Sequence, residues 1–200
     1  MLKAQLSALL LLFASGSMVS AATNTIDFEE FAPGTVLNGL NLGDLKLNTV
    51  GADIAVTTDN PGGTGNAIEK APFAGPNRYM AKFKVSGVRN ISVDVGDFGG
   101  DEDNSFLKAY DADGVLIAKQ RLKIPANLDG MVTLSVSADV DIYKIKFGTQ
   151  KSDQFPNSVY ADNLTYDYTD MAAVPLPAGG LLLMTALAGL GLATRRRKST

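Results

Sequence analysis

The sequence predicts an all-β protein whose body is an antiparallel, jelly-roll-like β-sandwich, flanked by an N-terminal signal peptide and a C-terminal transmembrane helix. Apolar and polar residues alternate along the body as they do in half-buried strands, for example at Ile91, Val93 and Val95. Turn-forming residues such as Gly99-Gly100 separate the alternating segments. No segment of the body has the apolar spacing of a long amphipathic helix. Short strands joined by turns favour two packed antiparallel sheets.

About nine strands are predicted in the body. In chain order they occupy residues 25–28, 54–58, 79–85, 91–95, 105–110, 115–122, 132–137, 143–147 and 159–168. The turn Asp111-Ala112-Asp113-Gly114 is expected to join residues 106–110 and 115–118 in a hairpin, since Asp and Gly favour tight turns. In the last strand, a period of two would put Tyr160, Asp162, Leu164 and Tyr166 on one face.

Residues 1–22 have the three parts of a secretory signal peptide. Lys3 gives a positive start, residues 6–14 are apolar, and the small residues up to Ala21 and Ala22 suit cleavage by signal peptidase. The mature protein is therefore expected to begin near Ala22 or Thr23, with the sandwich domain over residues 23–168. The alternative, an uncleaved N-terminal membrane anchor, leaves the small-residue boundary without an explanation.

The C-terminal tail has three parts that follow directly on one another. Residues 169–175 form a linker that runs into the motif Val174, Pro175, Leu176, Pro177, Ala178. Residues 176–194 carry no charge, and at about 1.5 Å per residue they can just cross the roughly 30 Å of bilayer hydrocarbon. The basic residues that follow favour a cytoplasmic location for residues 195–200 and stop further transfer; they are Arg195, Arg196, Arg197 and Lys198. These properties alone fit a plain single-span anchor equally well.

The order of motif, apolar segment and basic end resembles the VPLPA-CTERM variant of the PEP-CTERM sorting signals of Gram-negative bacteria. The resemblance covers residues 174–200. It implies export through the inner membrane, transient anchoring by the C-terminal helix, and recognition by an exosortase-type transpeptidase. It also implies cleavage near the motif and transfer of the body to the cell surface or its exopolysaccharide matrix.

Composition restricts the function of the body. It holds 13 of the 18 basic residues and all 21 acidic ones, a net charge of about −8. This charge disfavours nucleic acid and anionic lipid as partners, and attachment to an anionic polysaccharide is expected to need bridging cations. The chain has no His and no Cys, which excludes thiol catalysis and Ser-His-Asp triads. A carboxylate pair of the glycosidase type is the remaining catalytic possibility.

The densest acidic segment, residues 94–104, is a candidate metal site. Asp97, Asp101 and Asp103 are the candidate ligands, and the glycines at 96, 99 and 100 allow tight turns that bring carboxylates together. Oxygen ligands at this density suit Ca²⁺. The alternative is a solvated acidic hairpin.

The two ends of the body carry a second pattern. Ile26-Asp27-Phe28-Glu29 opens the first strand and Tyr160-Ala161-Asp162-Asn163-Leu164 lies in the last. The pair resembles carbohydrate-binding jelly rolls of the galactose-binding-like kind, which implies that Glu29 and Asp162 either bind a structural calcium or fix the terminal strands. Candidate aromatic contacts to sugar lie in predicted loops and are Phe73, Phe98 and Phe155.

These observations predict an exported, surface-sorted and non-catalytic β-sandwich, a matrix or adhesion protein with glycan and calcium as candidate ligands. Two alternatives remain open. One is a secreted carbohydrate-active enzyme that uses a carboxylate pair, and the other is a structural coat protein that associates with itself.

Overall fold

Twelve β-strands form the fold in the computed structural model, which describes residues 21–49, 53–62, 64–71, 78–128, 130–150 and 159–169. The strands are β1 (Ala21–Ile26), β2 (Asn41–Leu42), β3 (Leu45–Thr49), β4 (Asp53–Thr57), β5 (Ala67–Ala71), β6 (Arg78–Phe83), β7 (Val88–Asp97), β8 (Asp103–Tyr110), β9 (Leu116–Ile124), β10 (Gly130–Ser137), β11 (Lys144–Gln150) and β12 (Tyr160–Thr169). Among these residues no helix is long and apolar enough to span a membrane. Most of the predicted signal peptide and the whole predicted sorting motif, transmembrane segment and basic tail lie outside the described residues.

The strands form two antiparallel sheets of six strands each in the described ranges. Sheet A has the order β10-β7-β12-β5-β4, and β1 also pairs with β12. Sheet B has the order β2-β3-β6-β11-β8-β9. The predicted all-β fold with antiparallel sheets is therefore confirmed.

One hydrophobic core lies between the sheets. Period-two alternation turns Ile91, Val93 and Val95 of sheet A inward, and they are almost fully buried together with Phe147 of sheet B. The Tyr79 ring stacks on the Phe147 ring with a centroid distance of 5.2 Å. The Tyr79 hydroxyl donates a hydrogen bond of 2.9 Å to the carbonyl of Val159, just before β12. This bond links sheet B to the last strand of sheet A, and burial raises the pKa of Tyr79.

The hairpin predicted at residues 111–114 is confirmed. The Asp111 side chain accepts a hydrogen bond of 2.8 Å from the Val115 amide, and the Asp111 amide donates to the Val115 carbonyl at 3.1 Å. Gly114 has a φ of 81°, a conformation that glycine adopts without steric cost. This turn joins β8 to β9.

Three strands were not predicted, and the first strand was misplaced. The missed strands are β2, β3 and β5. β2 has only two residues, which are too few for a detectable period, and β5 contains the charged pair Glu69-Lys70. The first strand is Ala21–Ile26 rather than 25–28, because Phe28 leaves the strand with a φ of 60° and its side chain enters the core. The predicted signal cleavage residues Ala21 and Ala22 thus lie in β1, opposite Thr169 and Tyr168.

The prediction that Tyr160, Asp162, Leu164 and Tyr166 share one face is wrong. Asp162 is opposite Asp94, but three residues later Thr165 is opposite Ser92, so β12 carries one extra residue in a β-bulge. The bulge includes Asn163, whose φ is 47°, in the left-handed region that Asn tolerates. The extra residue reverses the alternation, so Asp162 faces outward with Asp94 while Leu164 and Tyr166 enter the core.

Gly96 permits the close approach of β7 to β10. It lies opposite Met131, and a β-carbon at this position would overlap the Gly130 carbonyl oxygen and lie 2.7 Å from the Met131 Cα. Because backbone atoms cannot move aside as a flexible side chain can, we expect Gly96→Ala to lower the free energy of unfolding by about 1–3 kcal/mol. Denaturant unfolding measures this. Ser92→Ala, on the same face of β7, should stay within about 0.5 kcal/mol of the wild type. Equal losses for both variants would contradict the steric argument.

Candidate functional site

An acidic triad lies where the chain crosses from sheet A to sheet B. β7 ends at Asp97 and β8 begins at Asp103, with Asp101 in the connection. In β7, Asp97 follows Ile91, Val93 and Val95 at every second residue and points inward as they do. Asp103 is the first of the inward-pointing residues of β8. Both side chains therefore lie at one end of the space between the sheets. One carboxylate oxygen from each of Asp97, Asp101 and Asp103 lies within 4.8 Å of the others. All three residues are buried.

Burial makes the triad electrostatically unfavourable when it is ionised. Both carboxylate oxygens of Asp103 are buried without a hydrogen-bond partner, and so is the hydroxyl of Ser105, two residues along β8. Burial, followed by the charge of Asp97, a hydrogen bond that protonated Asp103 can donate to Asp97, and the charge of Asp101, raises the pKa of Asp103 to about 8. Such an arrangement favours either a proton or a cation among these oxygens.

The rest of the acidic segment does not join the triad. Asp94 lies between the inward-pointing residues Val93 and Val95 of β7 and therefore faces outward. There it accepts a hydrogen bond of 2.6 Å from the Thr133 hydroxyl. Glu102 is exposed and forms an ion pair of 2.7 Å with Lys123. The structure therefore brings together the three residues that the sequence predicted as ligands in this segment and separates them from their acidic neighbours.

Glu29 and Asp162 lie apart from the triad. Glu29 Oε1 accepts a hydrogen bond of 2.7 Å from the Asn66 amide, which ties the segment after β1 to the start of β5. Asp162 Oδ1 accepts 2.7 Å from the Asn163 amide, and Oδ2 accepts 3.4 Å from the Asn60 side chain. Burial is the main cause that raises the pKa of Asp162 to about 6. The charge of Glu29 is a smaller cause of the same shift in the pKa of Asp162, so the two residues lie near each other, as both implications of the resemblance require.

A polar cleft of about 420 Å³ lies beside Asp162 on the outside of sheet A. Its lining includes Asn60, Thr64, Asp94, Asp162 and Asn163. The side chain of Asn163 donates to Asp94 Oδ2 at 3.0 Å, so both oxygens of Asp94 accept hydrogen bonds from the protein. Both carboxylates of this cleft thus accept hydrogen bonds from neighbouring groups.

Among the aromatic residues proposed as sugar contacts, Phe98 is in the described part of the chain. It lies in the connection that carries the triad, is 47% exposed, and packs edge-on against Tyr160 at 5.5 Å between ring centroids. Phe73 and Phe155 lie outside the described residues.

The outer face of sheet B carries an array of basic side chains, here called the basic face. Directly opposed residues of antiparallel strands point to the same side of a sheet. One row of the register sets Lys46 opposite Lys82 and Lys82 opposite Lys144. The members of the basic face are Lys46, Arg78, Lys82, Lys108, Lys119, Arg121, Lys123, Lys144 and Lys146.

A second row of the basic face brings three lysines together. Lys146 lies opposite Lys108, and Lys108 lies opposite Lys119. Partial burial, then the charges of Arg121, Arg78, Lys146 and Lys119, lower the pKa of Lys108. The described strands of sheet B place no carboxylate on this face, since Asp103 points inward. Glu102, directly before β8, pairs with one member of the face, Lys123. Like charges in direct opposition destabilise a sheet, so the array is costly to the fold.

Aromatic rings lie among these cations. Lys108 Nζ is 4.9 Å from the Phe106 ring centroid, and Lys144 Nζ is 4.9 Å from that of Tyr110. Lys82 Nζ lies 4.7 Å from the Tyr143 ring centroid. Cation–π contacts hold lysine side chains against the sheet and offset part of their mutual repulsion.

The basic face was not predicted from the sequence. Its signal is a lysine or arginine at every second residue of a strand, as at Lys144 and Lys146 or at Lys119, Arg121 and Lys123. The net charge of the body concealed it, because most of the strand carboxylates belong to sheet A. Because most of the acidic and most of the basic strand side chains lie on different sheets, the negative net charge of the body is no longer an argument against an anionic partner.

Comparisons with known proteins place the fold. No protein-family model matches the chain, and no curated protein is significantly similar to it in sequence. The K2 cleaved adhesin domain of Lys-gingipain superposes with a TM-score of 0.50 at 11% identity, over 72% of this chain and 97% of that one. At this identity the likeness shows the β-sandwich fold alone.

Two further structures have lower similarity. The CBM22-1 xylan-binding domain of Paenibacillus barcinonensis Xyn10C has a TM-score of 0.47 at 12% identity, over 78% of this chain and 100% of that one. An arabinose-bound MgGH51 α-L-arabinofuranosidase has a TM-score of 0.48 at 11% identity, over 70% of this chain. The match spans only 25% of the arabinofuranosidase.

Proposed function

We propose that the protein is an exported, non-catalytic component of a cell-surface matrix that binds acidic polysaccharide through the basic face. The observation that carries this proposal is the pair of lysine rows across sheet B. Lysine on an edge strand can be explained as protection against strand pairing between molecules, and this accounts for Lys119, Arg121 and Lys123 on β9. It does not account for Lys82, Lys108, Lys144 and Lys146, which lie on inner strands.

An extended anionic polymer fits such a face. Neighbouring strands lie about 4.8 Å apart, so each row presents cations at close, regular intervals across the sheet. A chain with one carboxylate or sulfate per sugar can neutralise several of them at once and relieve their repulsion. Attachment of this kind is direct, in contrast to the bridging cations that the net charge led us to expect.

Polysaccharide is favoured over nucleic acid by the aromatic residues of the basic face. Modules for single-stranded nucleic acid offer exposed rings on which bases stack. Here Phe106 is only 4% exposed, Tyr143 is 37% exposed, and lysine side chains lie over Phe106, Tyr110 and Tyr143. The predicted signal peptide and sorting tail would also direct the body to the cell surface, where acidic polysaccharide is the expected polyanion.

Catalysis is not part of this proposal. The carboxylates of the triad are buried, and therefore they cannot reach a polymer. Asp94 and Asp162 in the polar cleft are held by hydrogen bonds from the protein. A glycosidase needs one carboxyl group that protonates the leaving oxygen and a second that attacks or activates water, and in this cleft both tasks would fall to Asp94 and Asp162.

Chromatography on an immobilised polyuronate tests the proposal. The full chain, solubilised in a nonionic detergent, should be retained at low salt and released as salt rises, because screening acts over about 10 Å at 0.1 M. The double variant Lys108→Gln/Lys146→Gln should elute at clearly lower salt. The control Lys84→Gln/Arg89→Gln removes the same charge from a turn and from sheet A, and should elute with the wild type.

Three results would overturn the proposal. The two double variants could elute together, which would show that only net charge matters. A neutral dextran could retain the protein as strongly as the polyuronate. Duplex DNA could retain it to higher salt than the polyuronate does, which would assign the basic face to nucleic acid.

A further inference from the structure

We propose that Asp97, Asp101 and Asp103 bind one Ca²⁺ ion between the two sheets, a site that is independent of the basic face. Two ligand atoms of one Ca²⁺ ion, each 2.3–2.6 Å from the metal, can be at most about 5 Å apart. The three carboxylate oxygens of the triad already lie within 4.8 Å of one another. A single ion can therefore contact all three with little movement of the side chains.

The polar groups around the triad independently indicate a ligand. Asp103 is 1% exposed, and neither of its carboxylate oxygens has a hydrogen-bond partner. The Ser105 hydroxyl, on the same face of β8, is also 1% exposed and without a partner. Buried polar groups in folded proteins nearly always have partners, and a bound ion is one of the accepted explanations for an exception. A cation would satisfy the Asp103 carboxylate, and Ser105 could bind it directly or through water.

The chemistry of the triad selects calcium. All its ligand atoms are oxygen, which hard cations prefer over the imidazole and thiolate ligands typical of zinc. Mg²⁺ gives up its water reluctantly and usually keeps several water ligands, so a dry site suits it poorly. Ca²⁺ accepts six to eight oxygens in flexible geometry. Three carboxylates supply the negative charge that offsets its dehydration.

Calcium at the triad would join the two halves of the sandwich. Asp97 belongs to sheet A and Asp103 to sheet B, while Asp101 comes from the connection between them. One ion would thus hold both sheets and the segment that presents Phe98. Because the unfolded chain does not hold these carboxylates together, binding stabilises the folded state.

Calorimetric titration of the EDTA-treated full chain in detergent tests this site. We expect Ca²⁺ to bind and to raise the Tm by about 5–10 °C at a concentration about 100 times the dissociation constant. Asp103→Asn should bind one Ca²⁺ fewer per chain and lose most of the Tm increase. The control Glu102→Gln, at the exposed neighbour, should bind as the wild type does.

The metal-free protein separates loss of the site from loss of folding. Asp103→Asn removes a buried negative charge, so in EDTA its Tm should equal or exceed that of the wild type. If Asp103→Asn does not fold, Asp101→Asn, in the connection between β7 and β8, should show the same loss of one bound Ca²⁺ and of the Tm increase. Wild-type stoichiometry in both variants, or no Ca²⁺ binding by the wild type at millimolar concentration, would overturn the proposal. Equal heats and affinity with Mg²⁺ would overturn the choice of calcium.

Discussion

Replacing both Pro175 and Pro177 by Ala is expected to leave the protein uncleaved and held in the membrane. Proline lacks an amide donor and keeps the preceding residue extended, so the sequence predicts that the motif stays outside the transmembrane helix expected after it. With alanine at both positions the helix can continue through the motif and remove the extended segment that a transpeptidase would bind. Mass spectrometry of the protein from cells with the sorting machinery would then find residues 181–200 still attached.

The wild type and a matched variant define this comparison. The mature wild-type protein should lack residues 181–200 and begin near Ala22. The control Pro33→Ala/Pro125→Ala changes two exposed prolines of the body and should be processed normally. An intact tail on the surface-localised wild-type protein would refute the sorting interpretation, and normal processing of the motif variant would refute the role of the prolines.

Replacing Leu107 by Ala is expected to lower the free energy of unfolding by about 3 kcal/mol. Leu107 is fully buried on β8, opposite Phe147 of β11 on one side and Gln120 of β9 on the other. The surrounding strands are tied by backbone hydrogen bonds and can collapse only partly into the cavity. For a domain of this size the Tm should fall by about 10 °C.

Leu116 provides the matched control because it is the same residue in a strand of the same sheet. It lies on the edge strand β9 and is 44% exposed. Leu116→Ala should change the free energy of unfolding by about 0.5 kcal/mol or less. Similar losses for the two variants in denaturant unfolding would contradict the position of the core.

Local patterns were sufficient to predict the parts of the fold that short segments control. The Asp111 to Gly114 turn follows from hydrogen bonds and backbone angles within a few residues, and the structure confirms it. The strands with clear alternation were also found, within a few residues at their ends. The bulge at Asn163 was not predicted, because the extra residue is visible only once β12 is paired with β7.

The acidic triad illustrates both the reach and the limit of the sequence. A dense acidic segment indicated oxygen ligands and named Asp97, Asp101 and Asp103. Burial of these residues could not be read from the sequence, because it depends on the crossing from one sheet to the other. Alternation along β7 places Asp94 on the opposite face from the triad, where it accepts a hydrogen bond from Thr133. Glu102 is paired with Lys123 instead of the triad.

The sequence by itself determined that this protein is built from short antiparallel strands, since side-chain alternation is a property of each strand alone. Only the tertiary structure decided where its charges meet. Lys46, Lys82 and Lys144 are far apart in the chain, and their row exists because β3, β6 and β11 are neighbours in register. A net charge sums over all residues, whereas a binding surface depends on which of them the pairing of strands brings to the same face.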